Sequence, residues 1–182
     1  MPVCSHCITK KRLILSIIVK TSTKTLQFGE KFFPCRIGRR GAVAQELGRE
    51  GDEKTPRGDY ILRFGLYRAD RLPKPKSDLT FRPIGEDDGW CDDSGDPAYN
   101  RFIRLPYDAS HEKLWREDGA YDVILVMSHN DTPPKAGLGS AVFIHIAQFD
   151  DRETLGCVAL APEAMVKILP HLKPSMAISI QE

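Results

Sequence analysis

Between positions 128 and 157 the chain places two histidines and a cysteine within thirty residues: Ser128-His129-Asn130-Asp131, then His145, then Thr154-Leu155-Gly156-Cys157. A thiol becomes a strong nucleophile when a neighbouring base raises its thiolate fraction, and an imidazole does this and later returns the proton to a leaving group. Gly156, with no side chain, lets a substrate backbone approach the sulfur, and the Gly156-Cys157 backbone can face the oxyanion of a tetrahedral intermediate. The plainer reading makes Cys157 a core residue and His145 a satisfied polar group at a strand end. A zinc site from His129, His145 and Cys157 is a third reading, although the spacing fits no compact finger pattern. No metal and no cofactor are therefore expected. Cys4-Ser5-His6-Cys7 lacks a second Cys/His pair at finger distance and reads as a loose terminus, with Cys35 and Cys91 as core or loop residues.

The elements that must position these residues are mostly strands. Leu13 to Val19 reads as a first buried strand. Thr25-Leu26-Gln27-Phe28 and Lys31-Phe32-Phe33 flank Gly29-Glu30, the Gly-X pattern of a two-residue hairpin. Thr55-Pro56-Arg57-Gly58 reads as a turn into a strand from Asp59 to Tyr67. Residues 69–100, rich in Pro and Gly, read as an irregular insertion, with Trp90 packing part of it down. Ser110 predicts a short helix through Leu114, Trp115 and Arg116. Tyr121 to Met127, almost wholly apolar, predicts a strand covered on both faces. Ala141 to Ile146 and Gly156 to Leu160 are further strands, Pro162 opens a second helix that Pro174 stops, and Met176 to Ile180 alternates as the last strand. The sum is one mainly β domain over residues 1–182 with two short helices.

Composition narrows the function. With 26 Lys+Arg and 25 Asp+Glu among 182 residues, the net charge of +1 and the scattering of both signs argue against nucleic acid or anionic lipid as the main partner. No apolar run reaches the roughly 20 residues of a membrane span. Met1 to Lys24 has no convincing export signal, since its apolar stretch is short and lacks a small-x-small cleavage site. If Met1 is the native start, a cytoplasmic location is expected; otherwise the cell envelope.

Residues 30–180 resemble the L,D-transpeptidase catalytic domain of the YkuD type. The resemblance rests on His145 followed 12 residues later by Cys157 in Thr154-Leu155-Gly156-Cys157-Val158, and on Thr55-Pro56-Arg57-Gly58-Asp59-Tyr60. It extends to Gly89 through Arg101, Leu114-Trp115-Arg116, and His129 through Ala141. It implies a β-sandwich-like domain in which Cys157 attacks a peptidoglycan stem tetrapeptide between diaminopimelate and the terminal D-alanine. Cys157 forms the thioester, His145 is base and then acid, the Gly156-Cys157 backbone helps form the oxyanion hole, and His129, Thr154 and Trp90 contact substrate. An amine acceptor then gives a crosslink, as in an L,D-transpeptidase; water gives a tripeptide, as in an L,D-carboxypeptidase acting on muropeptides. A non-catalytic cell-wall peptide binder is the alternative from another class, and a papain-like hydrolase is disfavoured because there the Cys precedes the His. The family pattern also implies a carbapenem adduct on the thiol.

Three positions depart from that pattern. Leu155 stands where many members have His, Ala159 where they have Arg, and Ile146 where the residue is usually small. His129 is the candidate to replace the first, and Arg39, Arg57 or Arg101 the second.

Overall fold

The structure, a computed structural model, describes residues 15–147 and 152–182. Cys4, Cys7 and the start of the expected first strand lie outside them. The described residues open with β1 (Ile17–Lys20), β2 (Thr25–Phe28) and β3 (Lys31–Arg36), followed by β4 (Ala42–Ala44) and the 13-residue β5 (Thr55–Tyr67). The short β6 (Phe81–Pro83), β7 (Asp88–Cys91), β8 (Phe102–Arg104) and β9 (His111–Lys113) come next. Then follow β10 (Val123–Met127), β11 (Phe143–Ile146), β12 (Val158–Leu160), the helix α1 (Pro162–Ile168) and β13 (Ala177–Gln181).

One sheet runs β10-β11-β12-β3-β2-β1-β13-β5, and β5 also pairs with β10. The length of β5 makes this possible: residues 58–61 pair with β13, and Leu62 to Tyr67 pair with β10. The expected sandwich is thus realised as a sheet that closes on itself through the two halves of one long strand, which leaves few edges to protect. The β2–β3 hairpin turns at Gly29-Glu30 as its sequence requires, with Gly29 at φ 60.

The alternation along β10 explains its unbroken apolar sequence. Val123, Leu125 and Met127 point into the main core with Ile144, Val158, Leu160 and Met165, whereas Ile124 and Val126 point into a second core with Leu66, Trp90, Leu114, Tyr121 and Phe143. That second core is covered by a separate three-stranded sheet, β8-β7-β9.

Several local expectations are corrected. The Ser110 segment is not a helix: His111 to Lys113 form β9, paired antiparallel with β7 through Trp90↔Glu112, and Leu114 is fully buried in the second core. Pairing and burial override a capping signal that is weak in a segment this short. The described residues therefore hold one short α-helix, followed at Leu169–His171 by a 3₁₀ turn where Pro170 lacks the N–H to continue it. Residues 69–100 are not wholly irregular, since they contain β6 and β7. Thr55 to Gly58 lie within β5 rather than in a turn, with Pro56 opposite Val43 of the short β4.

Candidate active site

The register of β11 on β12 creates the site. These strands run parallel with Ile144↔Val158 and His145↔Ala159. Ile144, Val158 and Leu160 face the main core, so Phe143, His145, Cys157 and Ala159 emerge on the opposite face. His145 and Cys157 consequently line the same cleft, of about 840 Å³.

The sulfur of Cys157 is fixed by two backbone groups. Phe143 N–H donates to Sγ at 3.3 Å, and the thiol donates to the Ala141 carbonyl at 3.2 Å. Burial pushes the thiol up to about 12, helped by the nearby Glu112 carboxylate and opposed by the Phe143 N–H and Arg116. His145 Nδ1 donates to the Ile146 carbonyl at 2.8 Å, which fixes Nε2 as the nitrogen with the free lone pair. Burial lowers this imidazole to about 4, against a smaller opposite effect of the Ile146 carbonyl. The Tyr121 ring meets the His145 ring edge-on at 5.2 Å, and its hydroxyl donates to Glu112 Oε1 at 2.5 Å. Burial thus disfavours the charged form of both the thiol and the imidazole.

Two threonine hydroxyls hold the turn before the cysteine. Thr154 Oγ1 accepts from Gly156 N–H at 3.2 Å and donates to the Cys157 carbonyl at 2.6 Å. Thr55 Oγ1, fully buried, accepts from Gly38 N–H at 2.8 Å and donates to the Gly156 carbonyl at 2.9 Å. Gly156 itself has φ 140, and a Cβ there would stand 3.1 Å from the Lys54 carbonyl. The backbone conformation strains any residue but glycine, and the close approach adds to the preference.

The remaining sequence candidates separate. Thr154 lines the cleft, but its hydroxyl both accepts from and donates to the Gly-Cys backbone, so it shapes the turn that carries Cys157. His129 lines the cleft as well, 5% exposed, with burial lowering it to about 4. Trp90 is not a wall of the cleft. It is 7% exposed, stacks edge-on against Phe143 at 5.1 Å and donates its indole N–H to Asn100 at 2.8 Å. Its large apolar ring is worth more in the second core than on an exposed groove. Of the three arginines offered for the missing cation, only Arg39 lines the cleft, and it is paired with Glu53. Arg57 pairs with Glu182, and Arg101 lines a different cavity. Leu155 is 71% exposed on the rim. Among the described residues no group of three or more His, Cys, Asp or Glu could hold a metal, so His129, His145 and Cys157 do not converge on a zinc position. No helix among them is long and apolar enough to cross a membrane.

Sequence reasoning missed three contributors. Asn100, at φ 55, donates to the His129 and Asn130 carbonyls at 3.0 and 2.7 Å and accepts from Trp90 and, at 3.1 Å, from Ala141 N–H. It thereby fixes the residue whose carbonyl receives the thiol. Glu112 and Arg116 line the cleft from the β9 side, 3.5 Å apart, with Arg116 also forked onto Asp118. An acidic or basic residue next to a Trp in an apparent helix gave no signal of this role.

His145 on β11 and Cys157, just before β12, thus face one cleft beside a glycine in a left-handed conformation. Residues 15–180 match the YkuD family, the L,D-transpeptidase catalytic domain, and the chain belongs to that family. Among solved structures it is similar to Bdellovibrio bacteriovorus Bd1075, at 16% identity over 92% of this chain and 47% of that one, TM-score 0.48. It is also similar to Mycobacterium tuberculosis L,D-transpeptidase 1, at 12% identity over 93% and 60%, TM-score 0.43. A third is Mycobacterium tuberculosis L,D-transpeptidase 3 in complex with a faropenem-derived adduct, at 15% identity over 93% and 60%, TM-score 0.43. The chain spans about half to three-fifths of the length of these structures. A comparison with curated proteins gives no match.

Proposed function

We propose that the chain is a cysteine-dependent acyl transferase acting on peptidoglycan stem tetrapeptides, as an L,D-transpeptidase. The observation that carries this reading is the shared cleft face of Cys157 and His145, with His145 Nδ1 committed to the Ile146 carbonyl so that Nε2 is the available base.

In the proposed reaction the Cys157 proton passes to His145 Nε2 and the thiolate attacks the carbonyl carbon of the diaminopimelate L-centre. The Gly156 N–H is already donated to Thr154, so the oxyanion is assigned to the Cys157 N–H. Collapse breaks the C–N bond, the imidazolium proton goes to the departing D-alanine amine, and a thioester remains. An acceptor amine attacks the thioester and gives up a proton to His145. The sulfur leaves as thiolate and is reprotonated, closing the cycle with one amide broken and one formed.

Water as acceptor makes the same site an L,D-carboxypeptidase. Ala159, directly opposite His145 in the register, is the ground for this second reading, because the carboxylate of an acceptor peptide then finds no cation at that position and depends on one elsewhere in the cleft. Incubation with disaccharide tetrapeptide and mass analysis of the products tests both. Crosslinked dimers with release of D-alanine support transpeptidation; tripeptide as the sole product selects hydrolysis, and unchanged tetrapeptide removes both.

A further inference from the structure

A second cavity of about 420 Å³ shares only His129 and Val142 with the catalytic cleft and includes neither Cys157 nor His145. Its charge is unbalanced. Arg63, Arg82 and Arg101 line it against a single carboxylate, Asp131, which is forked by Arg63 at 2.7 and 3.1 Å. Arg82 lies over the Phe64 ring at 5.2 Å, and Arg101 acts on Asp131 only at longer range. No carboxylate among the described residues forms an ion pair with either.

Between the arginines the cavity is apolar, with Phe64, Phe102 and Phe143 on its walls, and Phe102 is left 40% exposed. His129, which it shares with the cleft, is 95% buried, and its Nε2 lies toward Gly139 on the cleft side.

We propose that this cavity is a binding site for a small carboxylate carrying an apolar body, of about the size of an N-acyl dipeptide. Arg82 and Arg101 take the carboxylate, since guanidinium forks match its planar geometry, and the phenylalanines cover the body. A bare phosphate would satisfy the arginines but leave the aromatic walls wet, which is why the body belongs to the assignment. The proposal does not depend on the thiol chemistry.

Calorimetric titration of the full chain with N-acetyl-Leu-Ala, with its C-terminal amide and with inorganic phosphate tests it. The free acid is expected to bind, and the amide and phosphate to bind at least about tenfold more weakly. An Arg82→Ala/Arg101→Ala double variant, altered only at exposed side chains, is expected to lose at least about tenfold in affinity for the acid with an unchanged melting temperature. Phe102→Ala is expected to weaken binding as well, and Cys157→Ala to leave it unchanged. No binding of the acid, equal binding of the amide or of phosphate, or full affinity in the double variant overturns the assignment. Loss of binding in Cys157→Ala also overturns it, because that result moves the ligand to the catalytic cleft.

Discussion

The Cys157 thiol donates to the Ala141 carbonyl at 3.2 Å, so at rest its proton is held by backbone rather than by His145, the base proposed to take it. Ala141 is itself held at φ 50, with its N–H on the Asn100 side chain. The order of command runs from a buried amide through one backbone residue to the sulfur. Asn100→Ala is therefore expected to leave Ala141 N–H, the Trp90 indole and two carbonyls short of partners, lowering stability by more than about 2 kcal/mol. Activity should fall further than stability explains. Urea unfolding and turnover measured on the folded fraction check both.

Cys157→Ala and Cys157→Ser are both expected to abolish activity while the protein stays folded, because the side chain is small and only partly buried. A carbapenem should add one covalent adduct to wild type and none to Cys157→Ala, read by intact mass. His145→Ala is expected to slow acylation by roughly 10²–10⁴-fold. A rate near wild type in a folded His145 variant would move the base to His129. Because burial pushes the free thiol up to about 12, iodoacetamide alkylation of Cys157 should stay slow from pH 7 to 9 and rise only above that range.

Burial holds His129 and His145 at about 4 in the folded protein, below the ordinary 6.5. Above pH 6.5 both states carry neutral rings and nothing is lost. As the pH falls from 6.5 to 4 the unfolded chain takes up protons that the folded one refuses, so stability declines through that window, by on the order of 3 kcal/mol per ring. Cys35 and Cys157, both raised to about 12, act at the other end: stability is lost as the pH rises from about 9 toward 12. Urea midpoints between pH 4 and 10 check the shape, and the acid limb should flatten in a folded His129 variant.

Thr55 carries a prediction that separates shape from hydrogen bonding. Thr55→Val keeps the volume but removes the hydroxyl that joins Gly38 N–H to the Gly156 carbonyl. The expected cost is about 1–3 kcal/mol, with a lower kcat as the Gly-Cys turn loosens. Thr55→Ser should restore both measures in large part.

What the sequence made legible follows from range. Val123 to Met127 announces a strand covered on two faces because its neighbours are apolar on both sides, and Gly29-Glu30 announces a hairpin because turn chemistry is local. His145 and Cys157 were legible because both lie on or beside adjacent parallel strands in a short stretch of chain. Thr55, by contrast, reaches the Gly156 carbonyl across 101 residues and Asn100 reaches Ala141 across 41, and no local pattern encodes a bond of that separation. Trp90 and the Ser110 segment misled for a related reason: an aromatic and a capping serine carry local signals that the packing of β7 on β9 overrides.

Arg116 is the cation with which this cleft can answer the absence of arginine at Ala159. It lines the cleft 3.5 Å from Glu112 and 5.0 Å from the centre of the Tyr121 ring, the ring that abuts His145. Its fork onto Asp118 fixes the guanidinium without using all five donors. If Arg116 receives the carboxylate of the stem peptide, Arg116→Ala should raise KM about tenfold and leave kcat within about threefold, since the contact is equal in the ground and transition states. Arg116 also favours the thiolate of Cys157 electrostatically. Were that its main effect, kcat would fall at unchanged KM and the alkylation profile of Cys157 would move to higher pH. Steady-state kinetics on the tetrapeptide, paired with that profile, assigns Arg116 to the substrate or to the sulfur.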